Sequence, residues 1–514
     1  MKARTHHMLA VVTLGLLGLL LAACQRGGQT GDTTGPRTET GAPVSEETRA
    51  DFEDAFQAYE EAAQGGIEGQ ECDRVAGRFE KVSDQVESGL PEALFDAGMI
   101  WDQCGDRNKA RRFFERANES AEQHSKQKVP GFAPALVQLG AYAYLDNDHR
   151  EAKQYFDKAR EADRRSTEAY TNLGVLRGEE AYKLHKSSGL NQAMNAYKEA
   201  QTELRRALAV NSDFMTAFAQ MALLYLEISE DNQQMLDITE LVCQQATTRA
   251  NQIKADPLTV APIHNIWGLA LIRKGDIVRA TEQFDRARQL NPGFFEAHMN
   301  YGAVNLSFRG YPAAAQAFQK AIELRPEDYQ AHLSLGAALR GLEQYDEARA
   351  EFEKAISLDG AAPGAYYNLG VLMQDYLLSG DTDSQVVTLT KAKQEYRRFL
   401  DKCSGRRDAC VRRRPGEEDR DMAAVAEKRI KACDDTISGI REAAELAAEA
   451  ERLAAEARAN PPPEPPPETP AEGGDTGEGG GAPEGGGAAP ESGGAAPEGE
   501  GGAPEGGGGA GGQP

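Results

Sequence analysis

The chain is poor in positive charge: 57 Lys and Arg stand against 81 Asp and Glu, for a formal net charge of −24 over 514 residues. That balance repels nucleic-acid phosphates and anionic headgroups, so no nucleic-acid partner is expected. Aromatics are scarce at 7%, with 2 Trp, and there are only 7 Cys, none in a C-x-x-C pair. This spacing removes thioredoxin-like chemistry and the common zinc frameworks, and no metal is assigned. A Gly-rich phosphate loop, a G-x-S-x-G elbow and an H-E-x-x-H helix are all missing. No catalytic residue, cofactor or small-molecule substrate is therefore assigned, and the protein is not expected to be an enzyme. The end of the chain lacks most of all. Residues 461–514 hold 20 Gly, 12 Pro and ten acids but no Lys, Arg or aromatic residue. Such a stretch cannot bury a core, which predicts a disordered tail whose opening prolines adopt polyproline II.

Long apolar runs are absent with one exception. Residues 8–23 are apolar apart from Thr13 and follow a basic start at Lys2 and Arg4. The run is shorter than the roughly 20 residues a membrane-spanning helix needs, so it predicts a signal peptide over 1–23. It closes with Leu21-Ala22-Ala23-Cys24, which resembles the lipobox of bacterial lipoproteins. The resemblance implies cleavage before Cys24, a covalent diacylglycerol and fatty acyl (palmitate) modification of that residue, and, with Gln25 next in place of Asp, an anchor in the outer membrane facing the periplasm. Residues 24–49 are then Gly-, Thr-, Ser- and Glu-rich, a flexible tether.

The rest of the chain is organised by a repeat. Gly268, Ala280, Phe284, Ala287 and Pro292 are followed 34 residues later by Gly302, Ala314, Phe318, Ala321 and Pro326. A further copy gives Gly336, Ala348, Phe352 and Ala355, with Gly360 where the Pro stood. Small residues at these places let two antiparallel helices approach closely, and the aromatic fills space between neighbouring pairs. Pro ends the second helix because it has no amide donor and excludes helical geometry just before it. The pattern resembles the tetratricopeptide repeat (TPR), with a small residue at position 8, Ala at 20, an aromatic at 24, Ala at 27 and Pro at 32. Each such hairpin buries its apolar face only against the next, so the fold expected is an all-α TPR superhelical solenoid.

Earlier copies begin at 133 (Gly140, Ala152, Phe156, Ala159) and at 91 (Gly98, Ala110, Phe114, Ala117), with a degenerate one from about Ala50. Three copies are interrupted. In the one opened by Gly174, Ala200, Leu204 and Ala207 come 14 residues late, and in the one opened by Gly370, Ala392, Tyr396 and Phe399 come ten late. The copy from 215 has a second helix that departs from consensus before Pro257. The added residues are expected between first and second helices, as protruding loops or helix extensions. The solenoid is thus placed at 50–405, in 8–9 hairpins, followed by a capping or extended helix at 406–460.

Candidate residues follow from the register. His264, His298 and His332 recur at position 4, too far apart on successive hairpins to share a metal, and are expected to pack inside the layer. In an oxidising periplasm Cys72 and Cys104, on one edge of neighbouring hairpins, are the best disulfide pair. Two of Cys403, Cys410 and Cys433 are expected to join, and Cys243 to remain a buried thiol. The resemblance implies a concave groove lined by positions 2, 5, 6, 9, 12 and 13 of each first helix. There Asn172, Asn300 and Asn368 could pair with a peptide backbone, beside Leu269, Ile272, Met299 and Leu306, while the basic residues of the family's carboxylate clamp are missing from the central repeats.

Together these features imply an outer-membrane lipoprotein that scaffolds protein partners of an envelope machine. The layout is most similar to the gliding-motility TPR lipoproteins of myxobacteria. The alternative is a pilotin-like or outer-membrane assembly factor for a secretin, pilus or barrel system, and after it an envelope hydrolase activator.

Overall fold

The structure is a computed structural model and describes residues 44–124, 131–404, 410–412 and 420–459. The signal run, Cys24, most of the tether and the whole 461–514 tail lie outside the described residues. Among those described there are nineteen helices, and strand is confined to one two-residue antiparallel ladder, β1 (Val411–Arg412) with β2 (Arg420–Asp421). The chain divides into two units, Met1–Leu446 and Ala447–Pro514. In the second, the described residues 447–459 are the closing turns of one helix and are exposed throughout.

Among its described residues the first unit contains nine helical hairpins. Hairpin 1 is α1 (Glu46–Gly65) with α2 (Gln70–Asp84), hairpin 2 is α3 (Pro91–Gln103) with α4 (Arg107–His124), and hairpin 3 is α5 (Ala133–Leu145) with α6 (His149–Ala162). Hairpin 4 is α7 (Thr167–Ser188) with α8 (Leu190–Val210), hairpin 5 is α9 (Met215–Ile228) with α10 (Gln234–Ile253), and hairpin 6 is α11 (Pro257–Lys274) with α12 (Ile277–Leu290). Hairpin 7 is α13 (Phe295–Ser307) with α14 (Tyr311–Leu324), hairpin 8 is α15 (Tyr329–Gly341) with α16 (Tyr345–Leu358), and hairpin 9 is α17 (Gly364–Asp375) with α18 (Thr382–Cys403). Helix α19 (Met422–Ala459) follows. The first hairpin begins a few residues before the expected boundary because the Ser45 hydroxyl caps α1, accepting from the Thr48 amide at 3.0 Å.

The repeat works through one size match. The second helices of the regular hairpins bury little beyond positions 20, 24 and 27, as in α12, where Ala280, Phe284 and Ala287 are the buried residues. The aromatic at 24 packs directly against the Gly at position 8 of its own hairpin. A Cβ added to Gly302 would stand 2.6 Å from the Phe318 ring, and one on Gly336 would stand 2.6 Å from Phe352. The ring therefore fills space within its hairpin as well as between hairpins. The turn after each first helix also repeats. Position 15 is left-handed in five hairpins, at Gly105 (φ 80°), Asn147 (63°), Gly275 (82°), Arg309 (61°) and Glu343 (63°). Gly and Asn suit that region, whereas Arg and Glu carry a Cβ into it at a cost.

The interruptions resolve as helix, with no long loops. In hairpin 4 the extra residues lengthen both helices, which meet at Gly189 (φ 88°). Their tips are joined by His185, whose Nδ1 lies 3.1 Å from the Tyr197 hydroxyl and whose Nε2 lies 2.5 Å from Asp231. In hairpin 9 the addition extends α18 at its start, capped by Asp381. Leu389 in that addition is buried, so it is not a free insertion. In hairpin 5 the consensus places move: Thr239, Cys243 and Ala246 are fully buried where Ala, aromatic and Ala stand elsewhere. Cys243 takes the ring's slot, and the facing position 8 is Ala222 in place of Gly. A smaller occupant leaves room for the extra Cβ.

Candidate peptide-binding groove

The groove positions of hairpins 6 to 8 carry the expected side chains in a half-buried state. Leu269, Ile272, Met299 and Leu306 are each partly exposed while packing on the core below them. The asparagines sit differently. Asn300 is buried and donates to the Asn265 amide oxygen at 2.9 Å, joining two successive first helices. Asn368 donates to the Gly364 carbonyl at 2.9 Å and accepts from Arg340 at 3.3 Å. Asn172 is buried as well. The amide of Asn300 is thus engaged inside the stack, at the seam between neighbouring first helices, while Asn368 is engaged with its own helix and Arg340 but stays partly exposed. Of the residues expected to line the groove, the apolar set and Asn368 stay partly exposed.

Two basic residues do occupy groove positions of the central repeats, contrary to the sequence expectation. Arg273 at position 13 donates to the Ser229 hydroxyl at 2.8 Å and lies 3.7 Å from Glu230. Arg340 at position 12 is held by Asn368. Both bind their neighbours and form no pair of free cations.

The histidines are structural links. His298 Nε2–H donates to the Pro292 carbonyl and His332 Nε2–H to the Pro326 carbonyl, each at 3.0 Å. Each bond ties position 4 of one hairpin to position 32 of the hairpin before. His264 has no such Pro and instead meets Gln283 at 2.7 Å. Burial pushes the pKa values of His264 and His298 down, which favours the neutral ring. Among the described residues no group of three or more His, Cys, Asp or Glu is arranged to hold a metal ion.

Cys72 and Cys104 form a disulfide with Cα atoms 6.3 Å apart, and Cys403 and Cys410 form another at 5.9 Å. Cys243 and Cys433 are buried thiols. Burial raises the pKa of both, Cys433 to about 11, which keeps them protonated and unreactive. Cys433 neighbours Asp434, which pairs with Lys393, so it faces α18 well before Cys403 in the chain.

Sequence reasoning missed a set of acids on the first helices of the N-terminal hairpins. Glu92 and Asp96, one turn apart on α3, are both fully buried, and neither oxygen of Asp96 has a hydrogen-bond partner. Burial, with Glu92 beside it, holds the Asp96 carboxyl well above the usual range. Glu227 is pushed up to about 8 by burial, with Glu230 and Glu179 adding to the shift. Burial raises Glu168 too. The register already assigned all of these to groove positions, and only their sign went unread.

The TPR family model matches residues 267–328 and 306–366, the stretch where the 34-residue spacing is unbroken. No curated protein matches the chain. Solved structures that are similar include PilF of Pseudomonas aeruginosa, 19% identical, over 45% of this chain and 94% of that one, with a TM-score of 0.36. MamA (41–end) of Desulfovibrio magneticus RS-1 is 24% identical over 36% and 96%, with a TM-score of 0.29. A human IFIT1 dimer with PPP-AAAA is 16% identical over 79% and 91%, with a TM-score of 0.40. The fold is that of a TPR solenoid.

Proposed function

We propose that the protein is an outer-membrane lipoprotein whose TPR stack faces the periplasm and holds partners of an envelope machine in its groove. One observation carries this above the others: consecutive half-buried apolar positions on first helices, Leu269, Ile272, Met299 and Leu306, run across two hairpins of a stack that has no metal cluster among its described residues. Such a row suits an extended or helical partner segment, whose apolar side chains supply most of the binding energy. The anchor rests on Leu21-Ala22-Ala23-Cys24. No described helix is long and apolar enough to cross a membrane. A lipid at one end, a long stack and a Gly-Pro-Glu tail make a gliding-motility machine of the myxobacterial kind the first to test.

Cys24→Ser should leave the protein unprocessed or released from outer-membrane fractions, and co-fractionation like the parent would end the lipoprotein assignment. Replacing Ile272 and Leu306 together by Arg should abolish co-purification of crosslinked partners while deletion of 461–514 leaves it intact. The reverse pattern would move binding to the tail. These two positions are better probes than Asn300, whose loss would also break a buried bond.

A further inference from the structure

Charge is sorted by face in the N-terminal half of the stack. Residues 107–210 carry 19 Lys and Arg against 14 Asp and Glu, a local excess of cations on an acidic chain. Yet the groove positions of hairpins 2 to 5, counted from 91, 133, 167 and 215, include no Lys or Arg at all. They include six acids: Glu92, Asp96, Asp102, Glu168, Glu179 and Glu227. Most of the cations sit instead on second helices and turns, where Arg111 pairs with Asp146 and Arg116 with Glu80, and the three on first helix α7, Arg177, Lys183 and Lys186, fall outside its groove positions.

None of Asp96, Asp102, Glu168 and Glu227 has a Lys or Arg at ion-pair distance among the described residues, Arg273 and Lys186 act on Glu227 only from further away, and Glu179 has only His149, at 3.8 Å. Asp102 and Glu179 accept from the phenols of Tyr142 and Tyr144, which are neutral donors. Asp96 is the sharpest case. It is fully buried at a groove position with both oxygens unbonded, and a desolvated carboxyl without donors is costly unless something supplies charge or a hydrogen bond. Four of the six, Asp102, Glu168, Glu179 and Glu227, are partly exposed, whereas Glu92 and Asp96 are buried. Between them stand apolar groove residues, of which Leu223 is partly exposed while Met99 and Val137 are buried.

We infer that the concave face of hairpins 2 to 5 receives an extended peptide that carries Lys or Arg among apolar side chains. This rests on the scaffold function proposed above and names the chemistry of one partner segment. A cation entering the groove restores charge to carboxylates that now lack an opposite partner, and it does so in a partly water-excluded site where such pairs are strong. Hairpins 6 to 8, whose groove positions are apolar or uncharged apart from the engaged Arg273, Arg340 and Glu296, would hold a different part of the partner or a second one.

The test titrates the full-length protein with a fluorescent Lys-Ala-Leu repeat peptide and its Glu-Ala-Leu counterpart at low and at moderate salt. The cationic probe should bind, weaken as salt rises, and lose about tenfold or more in affinity in the isosteric variant Glu168→Gln/Glu179→Gln/Glu227→Gln. A control with three Glu→Gln changes on exposed sites, Glu115→Gln/Glu119→Gln/Glu161→Gln on α4 and α6, should bind like the parent. Equal loss in the control, equal binding of both probes, or no binding of the cationic probe overturns the inference. If the inference fails in any of these ways while Ile272→Arg/Leu306→Arg still abolishes partner co-purification, the scaffold function stands and only the cationic ligand is lost.

Discussion

Hairpins 6 to 8 and hairpins 4, 5 and 9 solve one packing problem with different parts. In the regular set a Phe lies on a Gly, and the helices stay short. In the interrupted set the ring becomes Leu204 on Gly174, Cys243 opposite Ala222, or Tyr396 on Gly370, and the added residues become helix. What the stack keeps constant is a small residue at position 8 and a buried side chain at position 24 or its equivalent, whose size runs from Cys243 to Tyr396. What it lets vary is helix length at the hairpin tips, where a longer pair costs nothing at the contact between hairpins. Family likeness is therefore strongest where both are regular, and the family match at 267–366 covers only that part.

The largest way to break this contrast is overpacking. Ala314 is fully buried in hairpin 7, and Ala314→Trp should cost about 3 kcal/mol or more in urea unfolding. Val387→Trp, at a site 52% exposed in the hairpin 9 extension, should stay within about 0.5 kcal/mol. Comparable losses would mean that the extension is packed as tightly as the regular core. Next comes the Gly contact itself: Gly302→Ala places a Cβ 2.6 Å from the Phe318 ring and should cost about 1–3 kcal/mol. At Gly439 in α19 no atom lies within 4 Å of an added Cβ, and the same change should stabilise the helix by about 0.5–1 kcal/mol.

A double-mutant cycle sharpens the comparison further. Cys243→Phe alone should destabilise hairpin 5 by collision with Ala222. Adding Ala222→Gly should recover about 1 kcal/mol or more of that loss, a coupling that independent sites would not show. The smallest effect lies at the turns. Arg309→Gly and Glu343→Gly, both at left-handed positions, should each raise stability by about 1 kcal/mol, whereas unchanged melting would show that the turn bears no strain.

How much of this was legible follows the same division. The Gly–aromatic spacing gave hairpins 2, 3 and 6 to 8 directly, since each partner could be counted along the chain. Cys72–Cys104 was legible because the register put both on one edge, and the structure joins them. The slot of Cys243 was not, because a five-residue shift in α10 moves it out of register and a thiol does not look like a ring. The asparagines at position 6 looked like groove ligands because spacing fixes which face a residue lies on without fixing how deep it sits. Depth is set by the neighbouring first helix, and that is where Asn265 holds Asn300. The buried acids of α3 were passed over for a similar reason: abundant Glu and Asp on helices ordinarily mark a solvated face, and only packing distinguishes Asp96 from the rest.

The groove as the working surface is tested most directly by a photo-crosslinking residue placed at single positions of the full-length protein in cells. Probes at Ile272 and Leu306, half-buried on first helices, are compared with one at Val278, which is 72% exposed on α12. The account predicts discrete partner adducts from the first two and none from Val278. Adducts from Val278 with none from Ile272 or Leu306 would contradict it.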